Sequence, residues 1–195
     1  MGYGPLKQAV AEGQFDYPNG IFFGGHRPAQ STTIFKDNVQ TWTQKLPVVH
    51  LDLHTGLGEH AKYKLLVPKQ GRAFLPQYSA VFGPDNVEVI GSVQGVAYNV
   101  RGDLGHYVTT KKGDYHFLLA EFGTYSGVRV LGALRRENQA HFYANQSSSA
   151  RQRAKAELVE CFCPTSPAWR GSVVGQGVEL IRAAERLAVH FQSVP

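Results

Sequence analysis

Residues 116–120, read as His-Phe-Leu-Leu-Ala, constrain the fold of this chain more than any other stretch. The run is almost continuously apolar and lies between Asp114 and Gly123. A strand with one solvent-facing side alternates apolar and polar residues, whereas a continuous apolar run is typical of a strand that is covered on both faces. We therefore predict a strand inside a sheet that carries helices on both sides.

A second apolar strand is predicted to start after Pro47. Residues 48–58 read Val-Val-His-Leu-Asp-Leu-His-Thr-Gly-Leu-Gly. Because side chains alternate along a strand, His50, Asp52 and His54 share one face and the apolar residues between them share the other. The two glycines within 55–58 predict a turn directly after the strand. Buried polar groups are costly when unpaired, so these three side chains need partners.

Helices and strands alternate along the rest of the chain. A helical pattern covers residues 31–45, with Ser31 as the N-cap and Ile34, Val39 and Trp42 as the apolar positions that bury it. Further helical patterns cover 76–82, 104–110, 126–143, 148–162 and 167–191. Shorter strands are predicted at 63–67 and 87–90. This alternation predicts a single α/β domain over residues 1–195, built as a three-layer sandwich around a mostly parallel or mixed sheet.

Composition narrows the classes of partner. The net charge is +5, but the basic residues are dispersed and form no stripe interleaved with aromatic residues, so we expect no nucleic-acid partner. Apolar runs are too short to span a membrane, and the N-terminal residues lack a signal-peptide pattern, which predicts a cytoplasmic protein. Cys161 and Cys163 point in different directions in a helical segment, which predicts free thiols rather than a disulfide.

Two polar residues are predicted to meet at one rim of the sheet. His54 ends the first strand, and Glu121 ends the apolar run after Ala120. Ligands of α/β sheets bind outside the carboxyl ends of the strands. An imidazole can bind zinc, and a nearby carboxylate can act as a general base. Two structural alternatives stay open, namely a hydrogen-bonded core histidine and a strand-end carboxylate in an ion pair.

Several motifs, in this order, resemble the zinc carboxypeptidase clan. They are Gly-Gln-Phe at 13–15 with Pro-Asn-Gly-Ile-Phe-Phe-Gly-Gly at 18–25, Leu-Asp-Leu-His-Thr-Gly-Leu-Gly at 51–58, Ala-Glu-Phe-Gly-Thr at 120–124 and Leu-Arg-Arg-Glu-Asn at 134–138. The branch of the clan that they resemble includes aspartoacylase and succinylglutamate desuccinylase, and the most similar members are bacterial carboxypeptidase-like proteins of unknown function. The pair of central motifs is the more specific part of this resemblance.

The resemblance implies a zinc-dependent hydrolase that acts on the amide bond of a peptide or of an acylated amino acid. In the clan, one zinc ion is held by a His-x-x-Glu motif and by a later His, which corresponds to His54. The catalytic glutamate of the clan corresponds to Glu121. Asp52 matches an acid that orients the ligand or the substrate, and Thr55 and Thr124 are candidates for the same supporting roles.

The chain departs from this pattern at one essential point. None of its eight histidines is followed three residues later by Glu or Asp, and the substrate-binding Arg and Asn of the clan have no counterpart. We therefore expect the C-terminal part of a carboxypeptidase-like domain, truncated at its N-terminus and inactive alone. The alternative is a pseudoenzyme or binding module without metal. A serine hydrolase is disfavoured because Gly-Thr-Tyr-Ser-Gly at 123–127 is one residue too long for a nucleophile elbow.

Overall fold

The structure is a computed structural model that describes residues 13–44, 46–91, 103–111, 114–145 and 147–193. Its helices are α1 (Gln30–Thr43), α2 (Leu75–Phe82), α3 (Leu104–Lys111), α4 (Gly127–Tyr143), α5 (Ser149–Phe162) and α6 (Pro167–Ser193). Its strands are β1 (Val48–His60), β2 (Tyr63–Val67), β3 (Val87–Val89) and β4 (Tyr115–Gly123), and two 3₁₀ turns flank α2 at Lys69–Phe74 and Pro84–Asn86.

The four strands form one mixed sheet in the order β1-β4-β2-β3. β4 runs parallel to β1 and antiparallel to β2, and β2 runs parallel to β3. β4 lies between two neighbours and is buried along almost its whole length, as its continuous apolar run predicts. The mixed sheet and its flanking helices confirm the predicted α/β sandwich.

The two faces of the sheet carry different helices. One face packs against α2 and α6 through a core that includes Leu65, Leu118 and Leu180. The opposite face packs against α1 and α3 through Val39, Val108 and Phe117. Since consecutive residues of β4 point to opposite faces, this one strand contributes side chains to both layers.

The helices α4 and α5 form a pair with a small core of their own, made by Val130, Ala133 and Cys161. The pair contacts the sheet where Phe162, the last residue of α5, meets Gly56 of β1. Cys161 is buried and Cys163 is exposed, and both are free thiols, as predicted from their spacing.

Three local expectations are wrong. α1 begins at Gln30 with Ala29 as the N-cap, and Ser31 lies within the first turn. Of the apolar residues expected to bury this helix, only Val39 does so, while Ile34 and Trp42 stay exposed. The glycines after His54 do not end the strand, because β1 continues to His60 with an irregular register between Gly56 and His60. Among the described residues, no helix is both long and apolar enough to cross a membrane.

Candidate functional site near the end of the parallel pairing of two strands

The register of β1 and β4 brings the two predicted site residues side by side. His54 pairs with Glu121, one step before Thr55 pairs with Phe122. Neighbouring strands lie about 4.8 Å apart, and paired residues of parallel strands point to the same face. The sheet therefore places the imidazole and the carboxylate on one face at one rim, the face that also carries His50, Tyr115 and Phe117.

The carboxylate of Glu121 is almost fully buried and is held by main chain. The backbone N–H of Leu57 donates to its Oε1 atom at 2.8 Å. Gly56 makes this possible, because its φ of 146° lies in a region that side chains disfavour and turns the next peptide toward Glu121. A Cβ atom at Gly56 would lie 3.4 Å from Oε1 of Glu121 and 3.2 Å from the ring of Phe162.

His54 is more exposed and is paired with Asp52, two residues earlier on the same face. The Nε2 atom of His54 lies 3.1 Å from Oδ2 of Asp52. Histidines that bind metals commonly donate the other ring N–H to a carboxylate, which fixes the tautomer and the ring orientation. Asp52 also lies near His50, where burial lowers the pKa of the imidazole and the charge of Asp52 opposes that shift.

The two candidate threonines hold the backbone around the site. Thr55 Oγ1 donates to the carbonyl of Phe162 at 2.6 Å, which ties β1 to the end of α5. Thr124 Oγ1 donates to the carbonyl of Gly56 at 3.1 Å, across the parallel pair of strands. Both hydroxyls thus contact main chain, and both support the segment that carries Leu57.

The end of β1 closes over the end of β4. Nδ1 of His60, the last residue of β1, lies 2.5 Å from the carbonyl oxygen of Thr124. A Cβ atom on Gly123 would lie 2.1 Å from the carbonyl oxygen of Glu59, so only glycine fits where the end of β1 lies against β4. Trp169 of α6 donates to the carbonyl of Gly123 at 2.9 Å and ties this helix to the same residue.

Tyr125, Arg129 and Glu160 form a cluster of one aromatic and two charged side chains next to the site, directly after Thr124. The hydroxyl of Tyr125 donates to Glu160 at 2.6 Å, and the guanidinium of Arg129 lies 3.7 Å from the centre of the Tyr125 ring. The hydrogen bond with Glu160 raises the pKa of Tyr125 and, in turn, lowers the pKa of Glu160. This group anchors the loop between β4 and α4.

The described residues do not complete a metal site. His54 offers one ring nitrogen, and Asp52 and Glu121 lie nearby, but catalytic zinc sites use three protein ligands in a compact arrangement. Within the described ranges, no group of three or more His, Cys, Asp or Glu side chains is placed to hold a metal ion. The donors present therefore do not fit zinc by themselves.

Sequence reasoning identified the titratable residues but missed the main-chain contacts. The N–H of Leu57 and the carbonyl of Phe162 are contributed by residues whose side chains carry no chemistry. Phe162 lies more than one hundred residues after Thr55 in sequence, and no motif connects them. The glycine at position 56 is the signal that could have pointed to the Leu57 peptide.

Comparison with known proteins identifies a family and no closer relative. Residues 1–176 match the family described as Protein of unknown function (DUF2817). The match covers most of the chain, and the chain belongs to this family. No curated protein and no solved structure matches it.

Proposed function

We propose that this DUF2817 chain supplies the general base and one zinc ligand of an amide-hydrolase site, for peptides or acylated amino acids. The observation that carries the proposal is the pairing of His54 with Glu121, two residues before the regular parallel register of β1 and β4 ends at Gly56 and Gly123. Crevices at this position of α/β sheets are where substrates bind. The motif order that resembles the zinc carboxypeptidase clan supports the reaction class.

Glu121 is suited to take a proton from an attacking water. Its carboxylate accepts the Leu57 N–H at 2.8 Å, and that contact fixes the direction of the group. A general base must hold its geometry within hydrogen-bond reach of the proton that it abstracts. After bond cleavage, the same carboxyl group can return the proton to the leaving amine.

His54 is suited to bind a metal through Nδ1. Its Nε2 contacts Asp52 at 3.1 Å, and Nδ1 has no hydrogen-bond partner in the described part of the chain. The carboxylate partner would keep the ring oriented and raise its basicity. Because the other ligands are missing from the described residues, we expect no stoichiometric zinc and no amidase activity from residues 1–195 alone.

Zinc analysis of the purified chain is the first test. We expect well below one zinc per chain after dialysis, and no hydrolysis of dipeptides or N-acyl amino acids with zinc added. Stoichiometric zinc that is lost in His54→Ala would contradict this expectation and would show that the ligands are supplied within this chain.

The role of Glu121 is tested in a longer chain. The coding sequence upstream of Met1 is read for an in-frame His-x-x-Glu, and a chain that includes it is expected to retain zinc and hydrolyse amides. There, Glu121→Gln should keep zinc and lose at least about a hundredfold in kcat. The matched control is Glu59→Gln at the same end of β1, where the exposed carboxylate pairs with Lys62 at 2.7 Å. Equal activities of the two variants would refute the assignment.

The absence of a three-ligand group among the described residues favours a second candidate. This candidate is a binding module that keeps the fold without metal. It predicts that no in-frame His-x-x-Glu lies upstream. It also predicts that His54→Ala leaves the metal content unchanged and changes the free energy of unfolding by no more than about 0.5 kcal/mol, as for an ordinary surface substitution. Zinc content of the short chain does not separate the two candidates, because neither expects stoichiometric zinc there. The presence or absence of an in-frame His-x-x-Glu upstream of Met1, and the zinc content of a chain that includes it, separates them.

A further inference from the structure

A groove lies between α4 and α5, away from the candidate site. Near the sheet, the space between these two helices is filled by the side chains of Val130, Ala133 and Cys161. Farther along, the helices leave a groove of about 530 Å³ between them, and four of its nine lining residues are alanines (140, 150 and 154 on the helices, and 144 directly after α4). This volume falls in the range of about 300–1,000 Å³ that is typical of small-molecule sites.

The groove is separate from the rim of the sheet. α5 meets the candidate site at Phe162, its last residue, whereas Ala154 and Ala150 lie 8 and 12 residues earlier. At 1.5 Å per residue, the groove lies roughly 12–18 Å along the helix from that contact. A ligand here would not touch Glu121.

The groove carries one guanidinium that lacks an acidic partner. Arg136 is engaged by Glu157 through two hydrogen bonds, Nε to Oε2 at 2.8 Å and Nη2 to Oε1 at 2.5 Å. Arg153 also lines the groove, and within the described residues it makes neither a hydrogen bond nor an ion pair. Glu137 and Glu160, the other two acids of the helix pair, are bound to Lys155 and Tyr125.

This chemistry selects a class of ligand. Arg153 offers several N–H donors for an anion, and Gln139 and Tyr143, both with polar groups, are among the residues that line the same space. The alanine walls and the Tyr143 ring offer apolar surface to the body of the ligand. The carboxylate of Glu157 also lines the groove and disfavours a multiply charged anion. We propose that the α4–α5 groove is a binding site for a monocarboxylate with a compact apolar body.

Titration calorimetry with 3-phenylpropanoate on the full chain tests the proposal. We expect one site, and affinity at least about tenfold weaker in Arg153→Gln, since hydrogen bonds to charged groups are worth at least that factor. Arg135→Gln on the exposed side of α4 is the control and should bind within about twofold of the parent. The neutral 3-phenylpropanamide should bind at least about tenfold more weakly than the carboxylate.

Two further variants locate the ligand. Ala150→Leu should abolish binding by filling the groove, while Glu121→Gln should leave it unchanged. Circular dichroism melting of each variant shows whether it is folded. No binding at millimolar ligand, equal losses in Arg153→Gln and Arg135→Gln, equal affinity for the amide, or dependence on Glu121 would each overturn the proposal.

Discussion

At the scale of single residues, Gly56 decides how Glu121 is presented. Its φ of 146° directs the Leu57 N–H to the carboxylate, and its missing side chain leaves room for the Phe162 ring. Strain in a disfavoured backbone region costs of order 1–3 kcal/mol when a side chain is forced into it. The geometry of the candidate site thus depends on a residue that has no functional group.

Gly56→Ala should lower the free energy of unfolding by about 1–3 kcal/mol, because the new Cβ meets strain as well as Phe162. Gly175→Ala is the matched control in α6, where nothing lies within 4 Å of the added Cβ. There, alanine should stabilise the protein by about 0.5–1 kcal/mol through its better helix propensity. Urea denaturation measures both changes, and a neutral Gly56→Ala would show that the backbone relaxes freely.

His116 links the stability of the fold to pH. Its ring stacks on Phe191 of α6, with the ring centres 3.7 Å apart, and its Nδ1 atom lies within hydrogen-bond distance of the Tyr78 hydroxyl, at 2.8 Å. Burial lowers the pKa of His116 from its ordinary 6.5, and Asp114 only partly opposes this. Below about pH 6.5 the unfolded chain therefore binds more protons than the folded one, so stability is full above that pH and falls as pH decreases through it.

His116→Gln should flatten the dependence of unfolding free energy on pH between about 5 and 7. The steepest slope that one proton can contribute is about 1.4 kcal/mol per pH unit. His26→Gln, at an exposed position, should keep the parent slope. Urea titrations at several pH values give the slopes, and an unchanged slope in His116→Gln would assign the effect to other groups, with His50 next in order.

At the scale of elements, the N-termini of α4 and α5 differ although both follow a serine. Ser148 accepts a hydrogen bond from the Arg151 N–H at 3.3 Å, whereas Ser126 makes no side-chain cap bond at α4. An N-cap satisfies a helix N–H group that otherwise has no partner, and its loss costs about 1 kcal/mol. α5 depends on this cap, since it has no acidic residue in its first turn.

Ser148→Ala should therefore destabilise the protein by about 1 kcal/mol. Ser126→Ala removes the same atoms at a cap that makes no bond, and should cost less than about 0.5 kcal/mol. Thermal unfolding of the two variants beside the parent measures the difference. Equal losses would mean that the cap at Ser148 contributes nothing beyond ordinary helix propensity.

At the scale of the whole molecule, β1 forms one edge of the sheet. Among the described residues no strand pairs with its outer side, although β1 is 13 residues long. Leu53 projects from this edge strand with 53% of its surface exposed. A long edge strand with apolar side chains is a template for pairing with another chain.

We expect the chain to associate with increasing concentration, and Leu53→Lys to reduce that association, because a charge on an edge strand blocks pairing. Val174→Lys on α6 is the control, since Val174 is also an exposed apolar residue but lies on a helix and cannot pair as an edge strand. Sedimentation velocity over a range of concentrations compares the variants. A parent chain that stays monomeric throughout would contradict this expectation.

The amino-acid sequence by itself determined the elements and the identity of the titratable residues. Apolar runs and turn residues fixed β2 and β4 and the course of α4, α5 and α6, because burial periodicity and local caps act within a few residues. Sequence also predicted His54 and Glu121 as residues of one site, but its placement of His54 at the end of β1 is wrong, because the strand continues to His60. The prediction of which apolar residues of α1 are buried was wrong, since only Val39 is buried there. Burial depends on which neighbouring elements pack against the helix.

Tertiary structure alone decided that β4 separates β1 from β2, and hence that His54 meets Glu121. It also decided that Gly56 and Leu57 continue a strand instead of forming a turn, because Thr124 and Phe162 hold that segment through hydrogen bonds from distant parts of the chain. Hydrogen bonds between residues far apart in sequence leave no local pattern, because nearly every residue carries the same backbone N–H and C=O groups and the sequence does not show which of them will pair.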